Sequence, residues 1–160
     1  MNGGSHFPAT VSHPKPPKAA LLASADDVEA RFYEALQQGD IERLMAAWAD
    51  DDEIVCVHPG GPRLVGPSAV RAAFESMFSH GTVDAHPERV RRLQSHASAV
   101  HSVLERVNLM TPDGPRSAWV IATNVYHKTP QGWRLVAHHA SPGLRDEPVE
   151  EGTQASSVLH

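Results

Sequence analysis

Residues 31–61 read RFYEALQQGDIERLMAAWADDDEIVCVHPGG, and this stretch decides the fold. Val28, just upstream, together with Phe32, Ala35 and Leu36, repeats at i, i+4, i+7 and i+8, which lays one apolar stripe along a helix. Gly39 stops that helix. Asp40 caps a second one, in which Ile41, Leu44, Met45 and Trp48 fall at i, i+3, i+4 and i+7. Asp50-Asp51-Asp52 ends it. The apolar run that follows leaves through His58 and turns at once in Pro59-Gly60-Gly61-Pro62. The spacing therefore predicts two helices, a short strand and a sharp turn that fixes the pose of a histidine.

Working outward, Ser24 with Asp27 three residues later resembles a capping box, with Asp in place of Glu. Pro67 or Ser68 opens a third helix, with Val70, Phe74, Met77 and Phe78 on one face and Gly81 at its end. The remainder reads as strands at about 54–58, 63–65, 83–95, 99–110, 116–129 and 133–141. Turn chemistry joins them at Pro112-Asp113-Gly114-Pro115 and Thr129-Pro130-Gln131-Gly132. Helices gathered early and an antiparallel sheet gathered late mark an α+β domain rather than alternating βαβ units. A long twisted sheet wrapped around a few helices leaves a cavity between them. The domain is expected within 24–142. A Pro-rich arm precedes it at 1–23 and an acidic tail follows at 143–160, both loose.

The chain has 160 residues, 41% apolar and 21% charged, with a net charge of −5. One domain with a sizeable core fits that length. The acidic balance argues against nucleic acid. Arg89-Val90-Arg91-Arg92 alternates with an apolar residue beside Glu88 and reads as a solvated strand face. The single cysteine, Cys56, permits no intrachain disulfide and reads as a small buried thiol. No run is long and apolar enough to span a bilayer and no signal peptide is evident, so a cytoplasmic protein without membrane contact is expected.

The order of elements and the phrases RFYEALQQGDIERLMAAWADDDEIVCVHPGG…RLVG and GWRLVAHHASP (132–142) resemble the superfamily named for nuclear transport factor 2 and ketosteroid isomerase, closest to its SnoaL-like branch. The likeness spans about 26–142. It implies a cone-shaped, cystatin-like α+β barrel: a curved antiparallel sheet around three N-terminal helices. This fold hosts isomerases, dehydratases, epoxide hydrolases, cyclases and plain binding or assembly domains. Laid on the pattern of ketosteroid isomerase, the general-base position falls on His58. The phenol-donor position falls on Phe32, and a second oxyanion donor falls near Thr123 or Asn124. Tyr33, about 100° round the helix from Phe32, is expected to face elsewhere.

His58 titrates near neutrality when unperturbed and suits acid/base work at a strand end. Strand alternation separates His138 from His139. It groups His139 with Trp133, Leu135 and Ser141, and the resemblance puts that polar strand end at the cavity mouth. Glu105, between Val103 and Val107 on an apolar strand face, calls for a partner such as Arg134, or else serves as a pocket acid. Catalytic candidates are thus His58, His139 and Glu105. Phe32, Trp48, Phe74, Trp119, Asn124 and Ser141 are candidates for the ligand wall, and Tyr126 shares a face with Asn124. No HExxH or CxxC is present. A metal would need a set such as His58, His139 and Glu105, and neither metal nor cofactor is expected. Two functions stay open. One is a protein binding a small apolar or mixed-polarity ligand, acting as a cofactor-independent isomerase, dehydratase or cyclase through His58. The other is a non-catalytic dimerisation or accessory domain with a filled or vestigial pocket. Both imply a homodimer through the sheet.

Overall fold

The structure, a computed structural model, describes residues 22–144. The expectations for 1–21 and 145–160 lie outside the described residues. Three helices come first: α1 (Ala25–Gln38), α2 (Ile41–Ala47) and, after strands β1 (Val55–Val57) and β2 (Arg63–Val65), α3 (Pro67–Ser79). Four long strands follow: β3 (Ala85–Gln94), β4 (Ser98–Thr111), β5 (Gly114–Thr129) and β6 (Gly132–Pro142).

The helix ends form as their residues dictate. Ser24 Oγ accepts from the Asp27 amide at 3.1 Å, satisfying an N–H that α1 cannot. Gly39 ends α1 in the left-handed region at φ 65°, where a side chain is disfavoured. Asp40 Oδ1 accepts from the Arg43 amide at 3.1 Å and starts α2. Pro67 stands at the first turn of α3.

The sheet runs in the order β2-β1-β6-β5-β4-β3. The expected α+β architecture, a curved sheet around three helices, is present; its pairs are antiparallel except β1 with β6, which is parallel, so the sheet is mixed, and it is not closed. Pro87 is accommodated because β3 is an edge strand. The register of β3 slips between Glu88 and Arg91, where Arg89 takes φ 47°. Leu22, assigned to the arm, is instead buried, and its carbonyl accepts from the Trp133 amide at 3.0 Å.

The core lies between the helices and the inner sheet face. Phe32 is its hub, meeting Tyr33, Trp48 and Phe74 edge-to-face at 5.1, 6.3 and 6.1 Å. The α1 stripe is wider than a single row: Glu29 and Tyr33 are buried beside Val28, Phe32, Ala35 and Leu36. A wrapping sheet covers more of a helix than one flat partner would. Among the described residues no helix is long and apolar enough to cross a membrane.

Candidate functional site

β1 delivers His58 to the site. Behind it, the Gly61 amide donates to the His58 carbonyl at 2.8 Å, with Pro59 and Gly60 between them. Gly60 has φ 72°, the left-handed value that the third residue of a type II turn requires. Cys56 and His58 lie on one face of the chain, and Cys56 Sγ is 3.6 Å from His58 Nε2. Burial pushes the Cys56 thiol up to about 12, so it stays protonated at neutral pH. The His58 ring stands edge-on to Phe74 at 4.9 Å, and desolvation lowers its pKa.

These groups open on a cavity of about 140 Å³ that is partly open to the surface. Phe32, Leu36, Phe74, Met77, Val107 and Val120 give it apolar walls, and His58, Glu105 and His138 are its titratable members. Two of the three are joined behind the wall by a buried chain of hydrogen bonds. The Tyr33 hydroxyl donates to Glu105 Oε2 at 2.6 Å. Asn124 Nδ2 donates to the Tyr33 oxygen at 3.0 Å, and Asn124 Oδ1 lies 2.5 Å from His138 Nδ1. A carbonyl oxygen only accepts, so His138 Nδ1 carries the hydrogen and Nε2 is the nitrogen left for a guest.

Electrostatics follow from this burial. Desolvation raises Glu105 to about 7, against the pull of the Tyr33 hydrogen bond and helped by the nearby charge of Glu29. Desolvation, with the neighbouring His58 and His139, lowers His138 to about 3 and keeps it neutral. Tyr33 is raised well above its ordinary value, first by burial and then by Glu105, and remains a phenol. At neutral pH the cavity therefore offers a carboxyl poised between its two forms, a neutral imidazole, and a second imidazole at the turn.

Several expectations need correction. His139 points outward and is exposed; its neighbour His138 is the inward one. The cause is a bulge. Val125 pairs with Ala137 and Tyr126 with Leu135, so Val136 is an extra residue that reverses the alternation beyond it. Ser141 is likewise exposed, and the set His58, His139 and Glu105 is not assembled. Tyr33 does not face away; its hydroxyl belongs to the buried chain. The partner of Glu105 is Tyr33, whereas Arg134 donates to the Trp133 carbonyl at 2.8 Å. Trp119, half-buried, alternates with Val120 and so lies on the other sheet face. Trp48 is buried but lines a separate surface groove of about 620 Å³ with Asp50, Gln131 and Arg134, and Phe32 stands between it and His138. Phe32 and Phe74 do wall the cavity, and Asn124 and Tyr126 are buried behind it. The sequence carried no sign of the role of His138, because its detection depends on the bulge.

A curved sheet folded over three helices, with titratable groups gathered on its inner face, defines the NTF2-like class. Residues 26–145 match the model of the SnoaL-like domain, and the chain belongs to that family. A solved structure from Thiobacillus denitrificans, provisionally described as a calcium/calmodulin-dependent protein kinase type II association domain, is 33% identical; the match covers 78% of this chain and 98% of that one, with a TM-score of 0.71. One from Streptomyces avermitilis, provisionally described as a dehydratase of the NTF2-like family, is 29% identical over 73% of this chain and 92% of that one, with a TM-score of 0.66. The CaMKII hub of S. rosetta, at 22% identity over 81% of this chain and 98% of that one, shares the fold with a TM-score of 0.59. No curated protein matches.

Proposed function

We propose that the chain binds a small neutral molecule in the cavity and transfers protons on it. The observation that carries this reading is the convergence of His58, Glu105 and His138 on one apolar-walled space. Glu105 and His138 are held through Tyr33 and Asn124, so their poses are set before any ligand arrives. His58 takes a proton from a carbon next to a carbonyl, and the protonated form of Glu105 donates to the carbonyl oxygen as charge develops there. Protonated His58 then gives its proton to another carbon of the conjugated system, completing an isomerisation, or to a neighbouring hydroxyl that leaves as water, completing a dehydration; in either case the proton on the oxygen goes back to Glu105 as the carbonyl re-forms. The provisional description of the S. avermitilis relative supports the second outcome. At about 140 Å³ the cavity is below the usual range of roughly 300–1,000 Å³ for drug-sized ligands. It suits a single ring or short chain.

The test is exchange of carbon-bound hydrogen for deuterium in D₂O, followed by NMR over a panel of single-ring enones and short hydroxyketones. Ligand-induced thermal shifts are read in parallel. Exchange by the wild type that falls at least tenfold in His58→Ala and Glu105→Gln is expected. A panel without protection or exchange would sink the reading.

A second reading, which the first does not exclude, is assembly through the outer sheet face. Leu93, Val100 and Ile121 are exposed there, and relatives described as association or hub domains support self-association. We infer a homodimer of this chain through that face.

A further inference from the structure

Asp26 and Glu29 are three residues apart at the start of α1 and share a helix face. His101, fully buried, rises from the inner face of β4 beneath them. Its Nδ1 lies 2.7 Å from Glu29 Oε2, which also accepts from the Tyr126 hydroxyl at 2.8 Å. The carboxylate accepts both hydrogens, so Nδ1 is a donor, and Nε2 is the ring's second nitrogen, a lone-pair site when the ring is neutral. Nε2 is buried and has no hydrogen-bond partner among the described residues. It lies 3.9 Å from Asp26 Oδ1. One ligand atom from each of the three residues falls within 4.8 Å of the others. On the neutral ring this lone pair faces a carboxylate oxygen, and a positive ion between the two is attracted to both.

We propose that His101 Nε2 and Asp26, with Glu29 behind the ring, bind a divalent transition-metal ion of the zinc type. In a tetrahedral zinc site two ligand atoms with bonds of about 2.0–2.1 Å stand about 3.3 Å apart, so the 3.9 Å between His101 Nε2 and Asp26 Oδ1 has to close by roughly half an ångström, which the exposed Asp26 side chain can supply. An imidazole ligand favours zinc, cobalt, nickel or copper over magnesium and calcium. Glu29 on Nδ1 completes a carboxylate–histidine–metal relay that fixes the tautomer and makes the ring a better donor. Asp26 is 62% exposed and gives the ion a way in, with water filling the remaining positions. The ion ties the start of α1 to β4, one strand in from the sheet edge.

One group competes for the site. Arg92 lies opposite His101 across the β3–β4 ladder, and its Nε donates to Asp26 Oδ1 at 2.8 Å. Guanidinium and metal claim the same oxygen, which sets the signs of the test. The full chain, stripped with chelator, is titrated calorimetrically with zinc chloride, cobalt chloride and magnesium chloride. Asp26→Asn and Arg92→Gln alter exposed side chains and leave the buried Glu29–His101–Tyr126 group in place. Zinc and cobalt binding that weakens roughly tenfold or more in Asp26→Asn and tightens in Arg92→Gln, with no magnesium heat, is the expected result. Histidine ¹⁵N spectra should then show zinc moving the His101 Nε2 signal. Equal zinc binding by wild type and Asp26→Asn would assign the metal to other histidines and overturn the site. So would an Nε2 that carries a proton with and without zinc.

Discussion

Glu105 sits where an ionised carboxylate is costly, and the cost has a pH signature. Its folded pKa is about 7 against an ordinary 4.5. Between those values the unfolded chain has released the proton while the folded chain still holds it. The folded state therefore binds more protons, and stability falls as pH rises from about 4.5 to about 7. Glu105→Gln keeps an acceptor for Tyr33 and cannot ionise. Relative to wild type it should gain stability across that window, reaching on the order of 3 kcal/mol above pH 7. Urea midpoints at a series of pH values measure this; a difference that stays constant with pH would refute it. His138 opposes the trend at lower pH: its pKa is depressed to about 3, so stability rises through the range from about 3 towards 6.5. Comparing variant with wild type at each pH cancels that contribution. At this scale Glu105 was legible, because a carboxylate between Val103 and Val107 needs a local reason. Tyr33 was not, because one row of apolar positions understates how much of α1 a curved sheet covers.

Among the elements, β6 shows where periodicity stops being informative. The helices and strands could be read from periods of 3.6 and 2, punctuated by Ser24, Gly39, Asp40, Pro67 and the two hairpin turns. A bulge adds one residue and leaves no mark in composition; Val136 is as good a strand residue as its neighbours. Two adjacent histidines therefore traded places relative to simple alternation. The exchange predicts an asymmetry. His138→Ala strips Asn124 Oδ1 of its buried donor and opens space beside Phe32, costing about 1–3 kcal/mol or more. His139→Ala alters an exposed side chain and should stay within about 0.5 kcal/mol of wild type. Denaturant unfolding of the two variants settles which ring faces in, and equal effects would mean that the bulge does not hold in solution.

For the whole molecule the question is what covers the outer face of an open sheet. Sheet order and the parallel β1–β6 pair are long-range facts that no local pattern encodes, and they leave β2 and β3 as separate edges. On the face away from the helices, Leu93 stands opposite Val100, and Val100 opposite Val125; Leu104 stands opposite Ile121 in the same layer. Leu93 is 76% exposed and Ile121 43%. An apolar row across three neighbouring strands is the kind of surface that a second copy covers, since self-pairing buries both copies of the row at once. Light scattering of the wild type should give a mass of at least twice 17.3 kDa at micromolar concentration. Ile121→Glu places a charge on the same sheet face without touching the cavity, whose wall is formed by its inward neighbour Val120. It should shift the chain towards monomer while leaving ligand-induced thermal shifts intact. If the wild type is already monomeric, the assembly reading fails and the cavity reading stands. If Ile121→Glu instead abolishes ligand protection and leaves the mass unchanged, the outer face acts on the cavity through the sheet and not through a partner.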